Sequence, residues 1–174
     1  MLNSNTIWSI LALTSEDQLR QRVAFALSQI LIIIPKVMVD QQITETNVDY
    51  YDIFVRNAFG NYRDILKQVS FSQRMGRMLS FLNNKSLQYY VNRGDPVAFP
   101  DENYAREIMQ LFSIGLIKLN LDGTPYLEGG KEVQTYSNTD ITSFARAWTG
   151  FQAQQLRGNY EGRTTRVDPM LINV

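Results

Sequence analysis

The chain has 174 residues, 44% of them hydrophobic, and its seventeen basic residues balance seventeen acidic ones. This length suits one domain or a large fragment of a domain, and the apolar fraction is enough to fill a core. The zero net charge argues against a general binder of nucleic acids or of anionic membranes, because such binding depends on basic charge.

Histidine and cysteine are both missing from the chain. Their absence excludes disulfides, a cysteine nucleophile, a Ser-His-Asp triad and the usual zinc sites within this chain. Oxygen ligands for calcium or magnesium remain allowed, but no loop has the acidic spacing of an EF-hand. We therefore expect neither a metal nor a cofactor.

Apolar runs are too short to cross a membrane. The longest purely apolar run covers residues 30–35, whereas a spanning helix needs about 20 apolar residues. The polar residues 3–6 also break up any secretory leader. We expect no transmembrane segment and no signal peptide.

The first long helix is predicted between Ser15 and Ile34, after a short apolar helix over residues 5–13. Ser15 and Gln18 form a capping box at its start, and Pro35 ends it. Residues at helical spacing are predicted to face the core: Leu19, Val23, Ala26, Leu27, Ile30 and Ile34. Because this helix is apolar nearly all round in its second half, we place it in the middle of the bundle.

The next helix is predicted to start near Thr46 or Asn47 and to end at Gly60, and it carries Asp49 and Asp52 three residues apart. One interpretation is a pair of carboxylates that carry chemistry. The other, which we favour, is two charges that suit the helix dipole, with Asp52 bonded to Arg56.

Shorter elements follow. Asn61 caps a helix over residues 62–69, and Ser70 opens another. Residues 84–99 fit either a short helix or a strand, with a turn at residues 92–96.

Residues 100–115 hold a helix start, an amphipathic body and a stop. Pro100 disfavours helical backbone at Phe99, and Asp101 can accept hydrogen bonds from the first-turn amides. Gly115 can take the left-handed conformation that ends a helix. The predicted core stripe consists of Tyr104, Ile108, Leu111 and Phe112.

A polar cluster lies on the flank of that stripe and consists of Asn103, Glu107 and Gln110. The first interpretation, which we favour, is a solvated or internally paired helix face. The second is a functional cluster centred on Glu107, because a carboxylate beside apolar residues can have the perturbed pKa that acid–base catalysis needs.

Candidates for catalytic roles in that second interpretation are Glu107, Asp101 and Arg106, the last of which pairs with Glu102 at i,i+4. The helix has no carboxylate three or four residues after Glu107. A mechanism with two carboxylates would therefore need one from another element.

A small β-hairpin is predicted near residues 116–136. Asp122-Gly123 is the strongest turn signal, residues 132–136 are the return segment, and Gly129-Gly130 marks a loop. A last helix over residues 140–149, capped by Asn138 or Thr139, turns four residues inward: Ile141, Phe144, Ala145 and Trp148.

These elements predict a mainly α fold, a multi-helix orthogonal bundle with one small hairpin. We expect a helical domain over residues 1–151. Residues 152–174 are rich in polar residues, arginine and glycine, and we expect them to form an irregular C-terminal segment without a packed element.

Four blocks of sequence, at residues 17–29, 56–64, 100–115 and 148–151, resemble the DUF1800 family, a domain of unknown function. Block 100–115 is the most specific. Members of that family are mostly helical, usually longer and often exported, so the resemblance implies a partial-length segment and an exported or extracytoplasmic location. It implies no reaction, and no residue role is carried over.

The sequence leaves the function unknown, and we weigh three hypotheses. The one that we favour is a helical structural or interaction module whose partner is protein, either the rest of a longer chain or an assembly. The alternative is a hydrolase-like enzyme that uses the carboxylate cluster around Glu107. A binder of pigment or lipid between the helices has only apolar helices and nine tyrosines in its favour.

Overall fold

The computed structural model describes residues 4–34, 43–154 and 167–173. In this part of the chain there are eight α-helices: α1 Ser4–Thr14, α2 Gln18–Ile30, α3 Ile43–Arg56, α4 Tyr62–Phe71, α5 Gln73–Met78, α6 Leu87–Arg93, α7 Asn103–Gln110 and α8 Asn138–Ala145. Four two-residue strands form two antiparallel pairs: β1 Leu127–Glu128 with β2 Lys131–Glu132, and β3 Phe151–Gln152 with β4 Leu171–Ile172. The predicted mainly α fold with a small hairpin is confirmed.

The chain divides into two compact units. The first unit comprises residues 1–82 and 151–174, and the second comprises residues 83–150. The predicted boundary after residue 151 stays a prediction.

The core of the first unit lies among α2, α3, α4 and α5. Its fully buried large side chains include Leu31, Phe54, Val69, Met75 and Phe81. Helix α4 begins as predicted, because the Asn61 side chain accepts a hydrogen bond from the Arg63 amide at 2.9 Å. The following helix is capped by Ser72 and not opened by Ser70.

Helix α2 differs from its prediction in length and in burial. It ends at Ile30, four residues before the predicted end at Ile34, and Leu31 is its C-cap residue. Ala24 is its buried residue, whereas Leu19 is 70% exposed and Ile30 is 49% exposed. The expectation of a central helix was wrong, because apolar side chains all round do not ensure that neighbours pack on every side.

The C-terminal residues contribute packed structure to the first unit. β4 pairs with β3, the Met170 amide donates to the Phe71 carbonyl at 2.7 Å, and the Met170 side chain is buried. The expectation that this segment lacks a packed element was therefore wrong at Met170.

The core of the second unit is formed by α7 and α8. Ala105, Ile141 and Ala145 are buried together, and Trp148 packs against them and across the Tyr104 ring at a centroid distance of 4.5 Å. Ser137 caps α8 in a reciprocal capping box with Asp140, one residue before the predicted cap. Residues 87–93, left open as helix or strand, form α6.

Residues 116–135 form a small antiparallel arrangement with two turns. The Gly123 amide donates to the Asn120 carbonyl. The Lys118 amide donates to the Val133 carbonyl, and the Lys118 carbonyl accepts from the Tyr126 amide. The β1–β2 hairpin turns through Gly129-Gly130, which both have positive φ, as a two-residue hairpin turn requires.

Candidate functional site

Helix α7 holds the predicted site residues, and Asp101 acts at its start. The Asp101 Oδ1 atom accepts a hydrogen bond from the Asn103 amide at 2.8 Å, while the Asp101 amide donates to Asn84 Oδ1 at 3.2 Å. The predicted hydrogen bond from a first-turn amide to Asp101 is confirmed, although the N-cap residue is Glu102. Asp101 therefore links Asn84, through its amide, to the first turn of α7, through its carboxylate.

Arg106 forms the predicted ion pair with Glu102. Arg106 Nη2 lies 3.2 Å from Glu102 Oε2, and the other carboxylate oxygen accepts from Thr142 Oγ1 on α8 at 2.7 Å. The pair therefore links α7 to α8, although its exposure limits its contribution to stability.

Glu107, the centre of the predicted cluster, is half-buried. Its Oε2 atom is buried and has no hydrogen-bond partner. Among the hydrogen bonds between described residues, none joins its side chain to Asn103 or Gln110. The three residues share a flank of α7 but do not form a bonded network.

The core stripe of α7 is only partly as predicted. Tyr104 and Phe112 are buried, whereas Leu111 is 62% exposed. Helix α7 ends at Gln110, so both Leu111 and Phe112 lie beyond it and the helical spacing no longer fixes which of them faces the core.

Two depressions in the first unit were not predicted. The first, which we call the apolar groove, has a volume of about 600 Å³ and lies among α1, α2, the residues after α2, and α3. Its described lining is dominated by large apolar and aromatic side chains, which include Trp8, Leu11, Phe25, Ile32, Val48 and Tyr51. Several are substantially exposed, among them Phe25 at 40% and Ile32 at 53%.

Polar groups in the apolar groove are few. Asp52 is the one charged side chain in its described lining. The predicted Asp52–Arg56 bond was wrong, because none of the ion pairs between described residues involves Asp52. The Oδ1 atom of Asn47, also in the lining, is buried and lacks a hydrogen-bond partner.

The second depression, which we call the polar cleft, has a volume of about 700 Å³ and lies among α3, α4 and residues 167–169. It gathers carboxylates and cations from these elements: Asp49, Asp64 and Asp168 with Arg56 and Lys67. Sequence reasoning singled out Asp49. It had no signal for Asp168, which arrives from more than a hundred residues away.

Burial raises the pKa of Asp49 above its usual value. The positive charge of Arg56 opposes this change, and the negative charges of Asp52 and Asp168 add to it. The cleft therefore brings together acids from distant parts of the chain and favours the protonated form of one of them.

Arg74 is a buried cation near these sites. It is 3% exposed, its Nη2 donates to the Ile34 carbonyl at 3.2 Å, and its Nε has no partner. Burial lowers its pKa from the usual arginine value. Arg74 does not line the apolar groove or the polar cleft.

Within residues 4–34, 43–154 and 167–173, no group of three acidic side chains is arranged to hold a metal ion. In the same ranges, no helix has both the length and the apolar character needed to span a membrane.

The family is settled by one comparison. The model of the family described as "Protein of unknown function (DUF1800)" matches residues 1–172. The chain belongs to the DUF1800 family. This confirms the predicted family and extends the DUF1800 match from separate blocks to almost all of the 174 residues. Comparisons with curated proteins and with solved structures found no match.

Proposed function

We propose that this DUF1800 chain is a helical interaction module that receives a protein segment in its apolar groove. The observation that carries the proposal is the exposure of large apolar side chains that line one depression. Exposed apolar side chains that gather in one depression, instead of being scattered singly, mark a candidate interaction site. The rest of a longer chain and another protein are both partners of the required kind.

Photo-crosslinking tests this proposal. A photoreactive phenylalanine analogue at Val48, in the groove, should form a protein adduct in cells that make the protein. The matched control places the analogue at Leu121, a fully exposed residue of the second unit. Adducts at Val48 that are absent at Leu121, and that a Phe25→Ala change reduces, support the proposal. Equal labelling at both positions, or none at Val48, contradicts it.

A second candidate function is hydrolysis at Glu107, supported by its buried oxygen without a partner. A carboxylate in such surroundings is suited to general acid–base work. The acidic side chains just before α7 have structural bonds, since Asp101 accepts from the Asn103 amide and Glu102 pairs with Arg106. A folded Glu107→Gln variant that retains the full hydrolytic activity of the parent would remove Glu107 from any mechanism.

A further inference from the structure

We infer that the segment received by the apolar groove is an amphipathic helix that carries a lysine or arginine next to its apolar stripe. This inference rests on the proposed function, because it specifies the chemistry of the partner at the same groove.

The shape of the groove favours a helix. Its lining along α3 runs from Asn47 to Phe54, a distance of about 10 Å or two helical turns. Two turns suffice to hold the side chains of a docked helix at positions i, i+4 and i+7. The groove walls are also substantially exposed, whereas a site for a small molecule encloses most of its ligand.

The charge in the groove favours a cation. The Asp52 side chain has no hydrogen bond or ion pair with any described residue, and no described cation lines the groove beside it. A carboxylate next to apolar side chains is stabilised when an opposite charge from a partner approaches it.

Aromatic rings near Asp52 add a second preference for a cation. Trp8 packs against Phe25 at a centroid distance of 4.9 Å, and the Trp8 Nε1 atom donates to the Tyr51 hydroxyl at 3.2 Å. All three side chains line the groove. The faces of such rings attract ammonium and guanidinium groups.

The buried Asn47 oxygen favours a hydrogen-bond donor. An acceptor that is buried without a partner is destabilising. A lysine, an arginine or a side-chain amide on the docked helix would supply that donor. The four observations favour the same occupant, a helix with an apolar stripe and with hydrogen-bond donors and positive charge at the edge of that stripe.

The experiment uses the full chain and two fluorescent peptides of about 15 residues, near the length at which helices become stable in water. One is an amphipathic helix of leucine and lysine, and the other replaces every lysine with glutamate. Fluorescence anisotropy should show that the lysine peptide binds at least about tenfold more tightly. An Asp52→Asn change should weaken its binding about three- to tenfold.

The matched control is Asp64→Asn, which removes one exposed carboxylate on α4 outside the groove. In this variant the affinity for the lysine peptide should stay within about twofold of the parent value, because the Asp64 carboxylate lies away from the groove. An equal loss in both variants would mean that general charge attraction explains the binding, and this would overturn the inference.

Other outcomes separate this inference from the proposed function. Equal binding of both peptides, weakened in each case by Phe25→Ala, would overturn the cationic partner and leave the interaction module standing. Binding of an alkylammonium below its micellar concentration, dependent on Asp52 and without any peptide binding, would also overturn the inference in favour of a small amphiphile. Failure of both peptides overturns it as well, and the Val48 crosslinking result then decides the proposed function.

Discussion

Helix α3 borders two depressions of opposite character. Asp49, Ile53 and Arg56 are spaced at i, i+4 and i+7 and line the polar cleft. Asn47, Tyr51 and Asp52 line the apolar groove. Two aspartates three residues apart therefore lie in different surroundings, one near a cation and other acids, the other near aromatic rings. The environment of each carboxylate is therefore decided by the helix face on which it lies, and not by its closeness to the other in sequence.

The largest loss of stability is expected from a change at Phe54, a buried residue in the lining of the apolar groove. Phe54 is fully buried and packs edge-on against Tyr50, with ring centroids 5.3 Å apart. Phe54→Ala should lower the free energy of unfolding by about 3–5 kcal/mol, measured by urea denaturation. Phe59→Ala, at a 60% exposed ring, should cost less than about 1 kcal/mol. Similar losses in the two variants would mean that Phe54 is not part of the core.

A smaller loss of stability is expected at the contact between Gly76 and Met170, which lies next to the residues 167–169 that line the polar cleft. A Cβ atom on Gly76 would lie 2.8 Å from the Met170 Sδ atom. Gly76→Ala should lower the stability by about 1–3 kcal/mol, because the buried methionine has little room to move.

The control for Gly76→Ala is the same change in a Met170→Ala background. There the clash with Met170 is gone and a tight contact with the Leu82 Cβ atom at 3.2 Å remains, so most of the loss of stability caused by Gly76→Ala should disappear. If Gly76→Ala lowers the stability by the same amount in both backgrounds, Met170 is not the residue that leaves no room for a side chain at position 76.

The smallest expected effect is a change in the pH dependence of stability when Asp49 is replaced by asparagine. Because burial raises its pKa in the folded state, the folded chain holds this proton at a pH where the unfolded chain has lost it. Asp49 should therefore lower the stability as the pH rises above the unfolded value of about 3.9. Relative to the parent, Asp49→Asn should become more stable over that window in chemical denaturation at several pH values.

Asp64→Asn is the matched change for this measurement, because it removes another carboxylate from the same cleft. If Asp49→Asn and the parent follow parallel curves from pH 3 to pH 7, Asp49 is not buried as the structure has it. If stability depends on pH in the same way in Asp64→Asn as in Asp49→Asn, the change is caused by the total charge of the cleft and not by the burial of Asp49.

Local patterns predicted the second unit well. Proline, aspartate and glycine marked the bounds of the stretch around α7, and the inward residues of α8 followed from their spacing. These features depend on residues within one or two turns of each other. The local sequence was therefore enough to predict these helices, and the observed ends differ from the predicted ends by only a few residues.

Long-range packing explains what the pattern missed. Helix α2 has apolar residues all round, yet only its neighbours decide which of them is covered, and Leu19 and Ile30 stay exposed. Asp168 reaches the polar cleft because Met170 packs against Gly76 and the Gln73 side chain bonds to the Asp168 carbonyl. No local rule links residues so far apart in the chain.

The amino-acid order alone fixed the mainly helical class, the family, and the absence of histidine and cysteine chemistry, since these depend on composition and short-range spacing. The placement of Asp49 in a cleft, of Asp52 in an apolar groove and of Glu107 without a partner came from the packing of helices. Burial is a property of all the neighbours that surround a residue, and those neighbours are known once the chain has folded.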